Sequence, residues 1–540
     1  MADGFIAWLP ALQFWQLEVL FWLAAALSVW ELPRLVKHLA APPGAWAAAI
    51  ASGLVALALV VFVAPRTNRI LYDELIYQHI GQNLTDRHRA EMCNDGVIER
   101  GRLQCARAEY NKQPDGYPQL LSVAYAVAGV REVVAWHVNN ACTALLPLVI
   151  FAAAMLLFSD AWAAIFAALL SALMPEALLW GNTAAVEPSA TITSVWAVLC
   201  AAWFVRSRRT SALVWTAVCT VYACQFRPES PLIAAIVVAI IWTGAPDEVR
   251  RTQVSVCALL AVVLASPLGL HILAERRQPW GSTGDRISLA FLWNNLRVNG
   301  PFYFSNIRFP AMATAFAVWG VVTHRRDGLT RVAAIYFLLM WGTYLSFYAG
   351  SYNYGADVRY SLLTYPPVAW LGGLGISALG QRIRWRGWPV AIATALALQF
   401  LWFVPLVHAV GEDGWAARTD VADARAFARL VPADGLVLTH NPSMFLLWGT
   451  NAAQMSLAAT DEEFVRTEIT SQPNHPVYFH DNFWCAIGDA VQSGFCRAMR
   501  SRFVLEPVAE VPERGLRYGL YRIRGVKPIP GVAAPPALLR

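Results

Sequence analysis

Charge is what this sequence has least of. Only 14% of its 540 residues are Asp, Glu, Lys or Arg, while 57% are hydrophobic. A soluble globular chain carries roughly 25% charged and 45–50% apolar residues. A water-solvated fold over the whole length is therefore excluded. Nucleotide-binding signatures are also missing, with neither G-x-G-x-x-G nor G-x-x-x-x-G-K-[ST] present. There is no His-Glu-x-x-His, and His79, His137, His271 and His440 are dispersed without ligand spacing, which gives a metal site no support. The amino terminus, MADGFIAWLPALQFW, has no basic region and no small-residue cleavage site, so no cleavable signal peptide is expected. The net charge of +6 falls largely in short loops and calls for no nucleic-acid partner.

What the chain does have is long apolar runs, a mean hydropathy of +0.43 and 23 tryptophans, a residue that favours the membrane interface. Measured against the roughly 17–25 apolar residues of a spanning helix, the sequence predicts about twelve spans. Their centres fall near Trp22, Ala56, Pro147, Leu170, Val198, Val218, Val237, Leu260, Val318, Leu338, Leu371 and Leu396. One set of connecting loops is short and basic, carrying Arg34 and Lys37, then Arg206, Arg208 and Arg209, then Arg250 and Arg251, then Arg325, Arg326 and Arg331, and finally Arg382, Arg384 and Arg386. The positive-inside rule assigns this set to the cytoplasm. The alternate loops then face outward, including the long loop 65–117. The stretch GYPQLLSVAYAVAG, Gly116–Gly129, is too short to span and reads as an amphipathic or re-entrant helix on the outer face.

Past Gly411 the composition shifts to mixed charge, with short β-like runs (GLVLTH, HPVYFH) and one helical pattern (ADARAFARL). The expected organisation is thus a mainly α transmembrane bundle over 1–410 and a small outward α/β domain over 411–540. Five of the nine cysteines lie in apolar spans. The other four, Cys93, Cys105, Cys485 and Cys496, all lie in segments assigned to the outside. That confinement suggests two disulfides, with sequence-local pairing favoured among three connectivities and four free thiols as the alternative.

Polar residues collect at the outer span ends. YDELIY puts the adjacent acids Asp73 and Glu74 after the second span, followed by Tyr77. NKQPDGYP carries Lys112, Asp115 and Tyr117 in a Pro-Gly turn. Glu187 lies in NTAAVEPS, Arg227 and Glu229 in FRPES, and Arg359 and Tyr360 in DVRYSLL. Each also has a plain structural reading. Asp73 and Glu74 can cap a juxtamembrane helix. Glu187 and Glu229, each beside a proline, can simply begin the next span. Arg276 and Arg277 can anchor anionic lipid.

In order and sidedness these motifs resemble the polytopic membrane glycosyltransferases of the C-type fold, within them the protein O-mannosyltransferase and lipid A aminoarabinose transferase group. The resemblance runs through YDELIY, PDGYPQLL, MPEALLWGNTAAVEP and DVRYSLL, and is carried mainly by Leu71–Phe204. Glu187 stands where Asp is commoner in that group, and Asp115 where a proline or basic residue is usual. The resemblance implies a multi-pass protein of the bacterial inner membrane, with its active site and C-terminal domain on the outer face. It implies transfer of a sugar from a polyprenyl-phosphate donor to a hydroxyl of an envelope acceptor, whether protein, lipid or glycan, with inversion.

On that reading Asp73 is the general base, with Glu187 the second catalytic candidate. Arg359 steadies the leaving phosphate, with Arg227, Arg276, Arg277 and Lys112 as alternatives. Glu74, Tyr77, Asp115, Tyr117 and Tyr360 complete the expected substrate contacts. No cofactor is expected; a divalent ion between Asp73 and Glu187 is the minority alternative. Three other functions stay open: a ligase using a polyprenyl-diphosphate oligosaccharide, a transporter with acids in broken helices, and a non-catalytic envelope assembly factor. No internal pairing of halves supports the transporter, and the assembly factor leaves the outer acids unexplained.

Overall fold

Every expected span centre falls inside a helix of the structure, a computed structural model. It describes residues 2–39, 41–275, 284–305, 308–352, 357–383, 385–410, 414–461, 463–464, 466–467 and 475–527. In chain order the helices begin with α1 (Ala2–Leu39), α2 (Pro43–Phe62), α3 (Asp73–Arg87), α4 (Gly116–Ala128) and α5 (Glu132–Phe158). Next come α6 (Ala161–Ala172), α7 (Pro175–Gly181), α8 (Glu187–Ser207), α9 (Thr210–Ala223), α10 (Leu232–Gly244) and α11 (Thr252–Glu275). They continue with α12 (Leu292–Ser305), α13 (Ala311–Thr323), α14 (Gly328–Ser346), α15 (Tyr365–Arg382), α16 (Trp388–Val410) and α17 (Trp415–Ala428). The stretch expected as an amphipathic or re-entrant helix forms α4.

Among the described residues, eight helices are long and apolar enough to cross a bilayer, and α6 with α7 makes a ninth, bent by 58°. The bend follows from Pro175, since a residue before proline is pushed out of the helical region. Helices α9, α10 and α13, with 14, 13 and 13 residues, fall short of the expected crossing length. The protein is a multi-pass membrane protein.

The chain divides into two units. Unit 1 holds Met1–Thr67, Lys112–Ala124 and Val133–Gly414, and with them the apolar helices. Unit 2 holds Asn68–Asn111, Tyr125–Glu132 and Trp415–Arg540. Its centre is a mixed seven-stranded sheet in the order β2-β1-β4-β3-β5-β7-β6. The strands are β1 (Glu91–Glu99), β2 (Arg102–Tyr110), β3 (Leu436–Thr439), β4 (Asn451–Gln454), β5 (Val477–Asp481), β6 (Phe503–Glu513) and β7 (Leu516–Val526). The C-terminal strands therefore share their sheet with a hairpin from the long loop, through Asp95 opposite Ala453 and Gly96 opposite Ala452.

Both hairpins turn on Glu-Arg-Gly. Arg100 and Gly101 have φ of 50° and 77°, and Arg514 and Gly515 have 47° and 81°. Positive φ at both central residues is what a two-residue turn needs to match the strand twist. The sheet edges are protected by composition. Strand β2 (RLQCARAEY) is charged and largely exposed, and β6 carries Pro507 and Pro512. Alternation along the inner strands buries both faces. Val437, Ala452 and Tyr478 face a cluster with Tyr72, Leu75 and Val421, while Leu438, Ala453 and Phe479 face Met455 and Met499. Two disulfides, Cys93–Cys105 and Cys485–Cys496, lie within this unit.

Candidate active site

Asparagines of α5 hold the loop that delivers Glu187. The Asn139 side-chain amide donates to the carbonyls of Thr183 (2.8 Å) and Ala185 (2.7 Å), and that of Asn140 to the carbonyl of Gly181 (2.7 Å). Asn182 in turn donates to the carbonyl of Ala64 at 2.8 Å. Irregular backbone among apolar helices survives when its polar groups are satisfied by protein, and here Asn139 and Asn140 satisfy three of its carbonyls. Pro188 suits the first turn of α8, where its missing N–H costs nothing.

Glu187 is buried and ion-paired with Arg227, whose guanidinium also binds Glu229. The Tyr344 hydroxyl donates to the same Glu229 oxygen and lies 3.3 Å from Arg227. Arg359 approaches Glu187 at 3.6 Å. Tyr344 and Tyr360 stack with centroids 4.8 Å apart, and the guanidinium carbons of Arg227 and Arg359 lie 5.3 and 5.2 Å from the Tyr360 ring centroid. Two acids and two arginines therefore balance in charge, braced by two tyrosines. The structure joins Glu187, Arg227, Arg359 and Tyr360 from the sequence reading, and adds Glu229 as a full member.

The Pro-Gly turn docks onto the stretch before Arg227. Gly116 donates its N–H to the Gln225 carbonyl at 2.8 Å, and a Cβ at Gly116 would sit 2.7 Å from that oxygen. Only glycine permits this approach. Asp115 and Tyr117, on either side, are buried. The docking brings Lys112 and Arg227 to the wall of one cavity of about 200 Å³, together with Arg286, His271 and Glu275. Leu268 and Ile272 form its apolar side. Sequence reasoning did not single out Arg286, Glu275 or Tyr344. They occupy helix and loop ends whose residue types look like ordinary interfacial anchors. Arg276 and Arg277 lie outside the described residues.

Asp73 and Glu74 belong to unit 2, and they differ sharply. Glu74 is fully buried and accepts from the backbone N–H groups of Arg69 (2.7 Å) and Ile70 (3.1 Å) and from the side-chain amide of Asn68 (3.1 Å). It orders the approach to α3. Asp73 is half-buried at the head of that helix. Tyr77, one turn on, is buried. The backbone before Asp73 is strained: Tyr72 has φ 69° and ψ −34°. The Asp73 N–H donates to the Leu71 carbonyl at 3.0 Å. That i→i+2 bond at positive φ has the form of the γ-turn variant that is rare and strained, a conformation costing of order 1–3 kcal/mol.

Among the described residues, the one cluster with metal-ligand spacing is His440 with Cys485 and Cys496. Those two thiols are joined in a disulfide, so the cluster fits no ion. Neither Asp73 nor Glu187 belongs to such a cluster.

Residues 112–271 match the family model of dolichyl-phosphate-mannose-protein mannosyltransferases. The match begins at Lys112, so it takes in the Pro-Gly turn, Glu187 and Arg227 but not Asp73. No curated protein matches the chain by sequence. Several solved structures match by fold. ArnT from Cupriavidus metallidurans, in its apo state, aligns with a TM-score of 0.57 at 13% identity over 89% of this chain and 98% of its own. The same protein bound to undecaprenyl phosphate gives 0.56 at 14% identity, over 89% and 98%. The oligosaccharyltransferase of Archaeoglobus fulgidus in apo form gives 0.52 at 12% identity, over 86% and 73%.

Proposed function

We propose, from the premise that this chain has the fold of the C-type membrane glycosyltransferases, that it moves a sugar from a polyprenyl-phosphate donor to an acceptor hydroxyl with inversion. The observation that carries this is the cavity of unit 1. Cations from Lys112, Arg227 and Arg286 share a hollow with an apolar wall of Leu268 and Ile272. That pairing suits a phosphate attached to a hydrocarbon chain. A nucleotide sugar would need no such wall.

In the proposed reaction an acceptor hydroxyl attacks the anomeric carbon from the face opposite the phosphate. The hydroxyl is a weak nucleophile, and Asp73 takes its proton as the new glycosidic bond forms. The bond from the anomeric carbon to the phosphate oxygen breaks, and its electron pair leaves with polyprenyl phosphate. That phosphate is a weak base, so fixed cations suffice in place of a general acid. Arg359 and Lys112 are assigned to it, with Arg227 held in its carboxylate cage as the fixed centre of the group. Glu187 then serves to hold arginines rather than to take a proton. The outer-face orientation in a bacterial inner membrane and the envelope acceptor belong to the same proposal.

The oligosaccharide-ligase alternative draws on the Archaeoglobus enzyme, of which the chain spans 73% against 98% of ArnT. The test is transfer from radiolabelled undecaprenyl-phosphate sugars (mannose and aminoarabinose) to a delipidated envelope fraction of the native host, by protein in phospholipid vesicles. Asp73→Asn should fold, retain donor and lose about 10²–10⁴-fold in rate, the usual worth of a general base. A wild-type rate in Asp73→Asn would remove the base assignment. Transfer of oligosaccharide from a diphosphate carrier, with none from the monophosphates, would favour the ligase.

A further inference from the structure

Four metal-ligand side chains meet in unit 2, none of them assigned to the transfer reaction. A ring nitrogen of His440 and the sulfurs of Cys485 and Cys496 lie within 4.8 Å of one another. The Met455 sulfur lies 3.8 Å from that of Cys496. Each comes from a different element: His440 follows β3, Met455 opens the helix Met455–Thr460, and the cysteines sit on the helices Phe483–Ile487 and Ala490–Arg502. The three sulfur side chains are buried in one apolar cluster. The other disulfide, Cys93–Cys105, belongs to no such group among the described residues. The spacing suits one ion, since sulfur ligands at about 2.3 Å from a tetrahedral centre stand about 3.8 Å apart.

His440 is oriented for the same task. Its Nε2 faces the Gln492 carbonyl at 3.0 Å and its Nδ1 faces Asn482 Oδ1 at 3.1 Å. Asn482 Oδ1 also accepts from the Trp484 backbone N–H at 3.1 Å, so it is an acceptor. A neutral imidazole has one N–H to offer these two oxygens. In either tautomer one ring nitrogen is held by oxygen and the other keeps a lone pair for a cation. Metal-bound histidines are ordinarily held in this way. Burial lowers the pKa of His440, against its bonds to Gln492 and Asn482 and the charge of Asp489, and so favours the neutral, ligating form.

We propose that reduction of the Cys485–Cys496 disulfide opens a copper(I) site made of His440, Cys485, Cys496 and Met455. As a disulfide the two sulfurs carry no thiolate and ligate nothing. A dithiol reductant passes two electrons and two protons to the S–S bond and is itself oxidised to a disulfide. Cu(I) then takes the place of the two thiol protons, which are released. Thiolate and thioether sulfur select this soft ion. The thioether separates it from zinc, whose sites are built of thiolate, imidazole and carboxylate. The disulfide joins two helices, whereas the bound ion ties those two to the end of β3 and to the helix of Met455.

The test uses the full chain in detergent, treated with dithiothreitol and freed of it under argon. Cu(I) alone is titrated into it in competition with bicinchoninate, a coloured Cu(I) chelator. The reduced protein should withhold one more equivalent of Cu(I) than the untreated protein. The buried free thiols of Cys142, Cys200, Cys219, Cys224 and Cys257 are common to both and cancel. Cys93→Ser/Cys105→Ser should keep the extra equivalent, and Cys485→Ser/Cys496→Ser should lose it. His440→Ala and Met455→Leu leave the disulfide in place during folding, and each should weaken Cu(I) binding at least about tenfold. X-ray absorption at the copper edge should show one sulfur fewer in Met455→Leu, whose affinity for Zn(II) should stay within about twofold. A Cys485–Cys496 bond that resists the dithiol, or a sheet signal in circular dichroism that collapses on reduction, overturns the proposal. So does an extra equivalent that survives in Cys485→Ser/Cys496→Ser, or an affinity unmoved in both His440→Ala and Met455→Leu. Zn(II) held more tightly than Cu(I) overturns the choice of metal.

Discussion

Arg227 closes on Glu187 inside unit 1, so the acid that the sequence offers as a second catalytic group is already engaged by a cation. Both side chains are buried, and Glu229 takes the other side of the same guanidinium. Buried charges are tolerated when paired and hydrogen-bonded, and removing one partner leaves the others uncompensated. The arrangement preorganises positive charge without leaving a lone cation in an apolar surrounding.

Replacing Arg227 should accordingly cost stability as well as activity. Arg227→Ala leaves Glu187 and Glu229 buried without their common partner. A loss of about 3–5 kcal/mol is expected, read as a lower melting temperature in detergent. Arg227→Lys keeps the charge but not the planar fork that serves two carboxylates, so it should recover only part of the loss. Equal melting of Arg227→Ala and the unaltered protein would show that the pair is not formed in the membrane.

Glu74 is expected to act through structure where Asp73 acts through chemistry. Its carboxylate caps the N–H groups of Arg69 and Ile70, so Glu74→Gln keeps an acceptor and should retain most turnover. Glu74→Ala strands those donors, at about 1–3 kcal/mol for a buried unsatisfied group. Limited proteolysis of the Asn68–Ile70 stretch should rise in Glu74→Ala and stay low in Glu74→Gln. The opposite order would assign Glu74 the chemical role.

The span centres were readable because lipid leaves little choice: only closed helices hide their backbone, and each needs an apolar run. The loop-ordering contacts of Glu74 were half readable, since neighbours on a helix point apart by about 100° and Glu74 need not share the direction of Asp73. That the hairpin 91–110 completes the C-terminal sheet was not, because Asp95 and Ala453 come together from opposite ends of the chain and no local pattern marks the pair. The Glu-Arg-Gly turns of the two hairpins carried a usable signal that lies outside the commoner Asn-Gly form. Arg286, Tyr344 and Asp420 were invisible for another reason. Arginine, tyrosine and aspartate at element ends are ordinary, and only their neighbours make them notable.

Orientation can be checked on exposed positions. The short basic loop at Arg206–Arg209 should face the cytoplasm, and the C-terminal region should face outward. Thr210 and Ser501 are both exposed. A cysteine at Thr210 should escape an impermeant thiol reagent in intact cells and react after permeabilisation, whereas one at Ser501 should react in both. Labelling at Thr210 in intact cells would invert the topology and place the candidate base on the wrong side for an outer-leaflet donor.

Asp420 gives the pH dependence of unit 2 a definite sign. Burial pushes its carboxyl up to about 7, against the Phe483 N–H and the Tyr72 hydroxyl, which pull it down, while Asp423 raises it further. The folded state therefore keeps a proton that the unfolded chain gives up near the ordinary value of 3.8. Stability from this group is full below that value and is lost as pH rises through about 7. Asp420→Asn is neutral at every pH and escapes the loss. It should melt above the unaltered protein at pH 8, by an amount equivalent to a few kcal/mol. The gap should close toward pH 4. His79 and His480, lowered by burial to about 4 and about 3, have the opposite slope: their stability is lost as pH falls below about 6.5. They are present in both proteins, so the difference between the two melting curves isolates Asp420. Parallel curves from pH 5 to 8.5 would mean that Asp420 ionises as it does in water, and that its carboxyl is not buried.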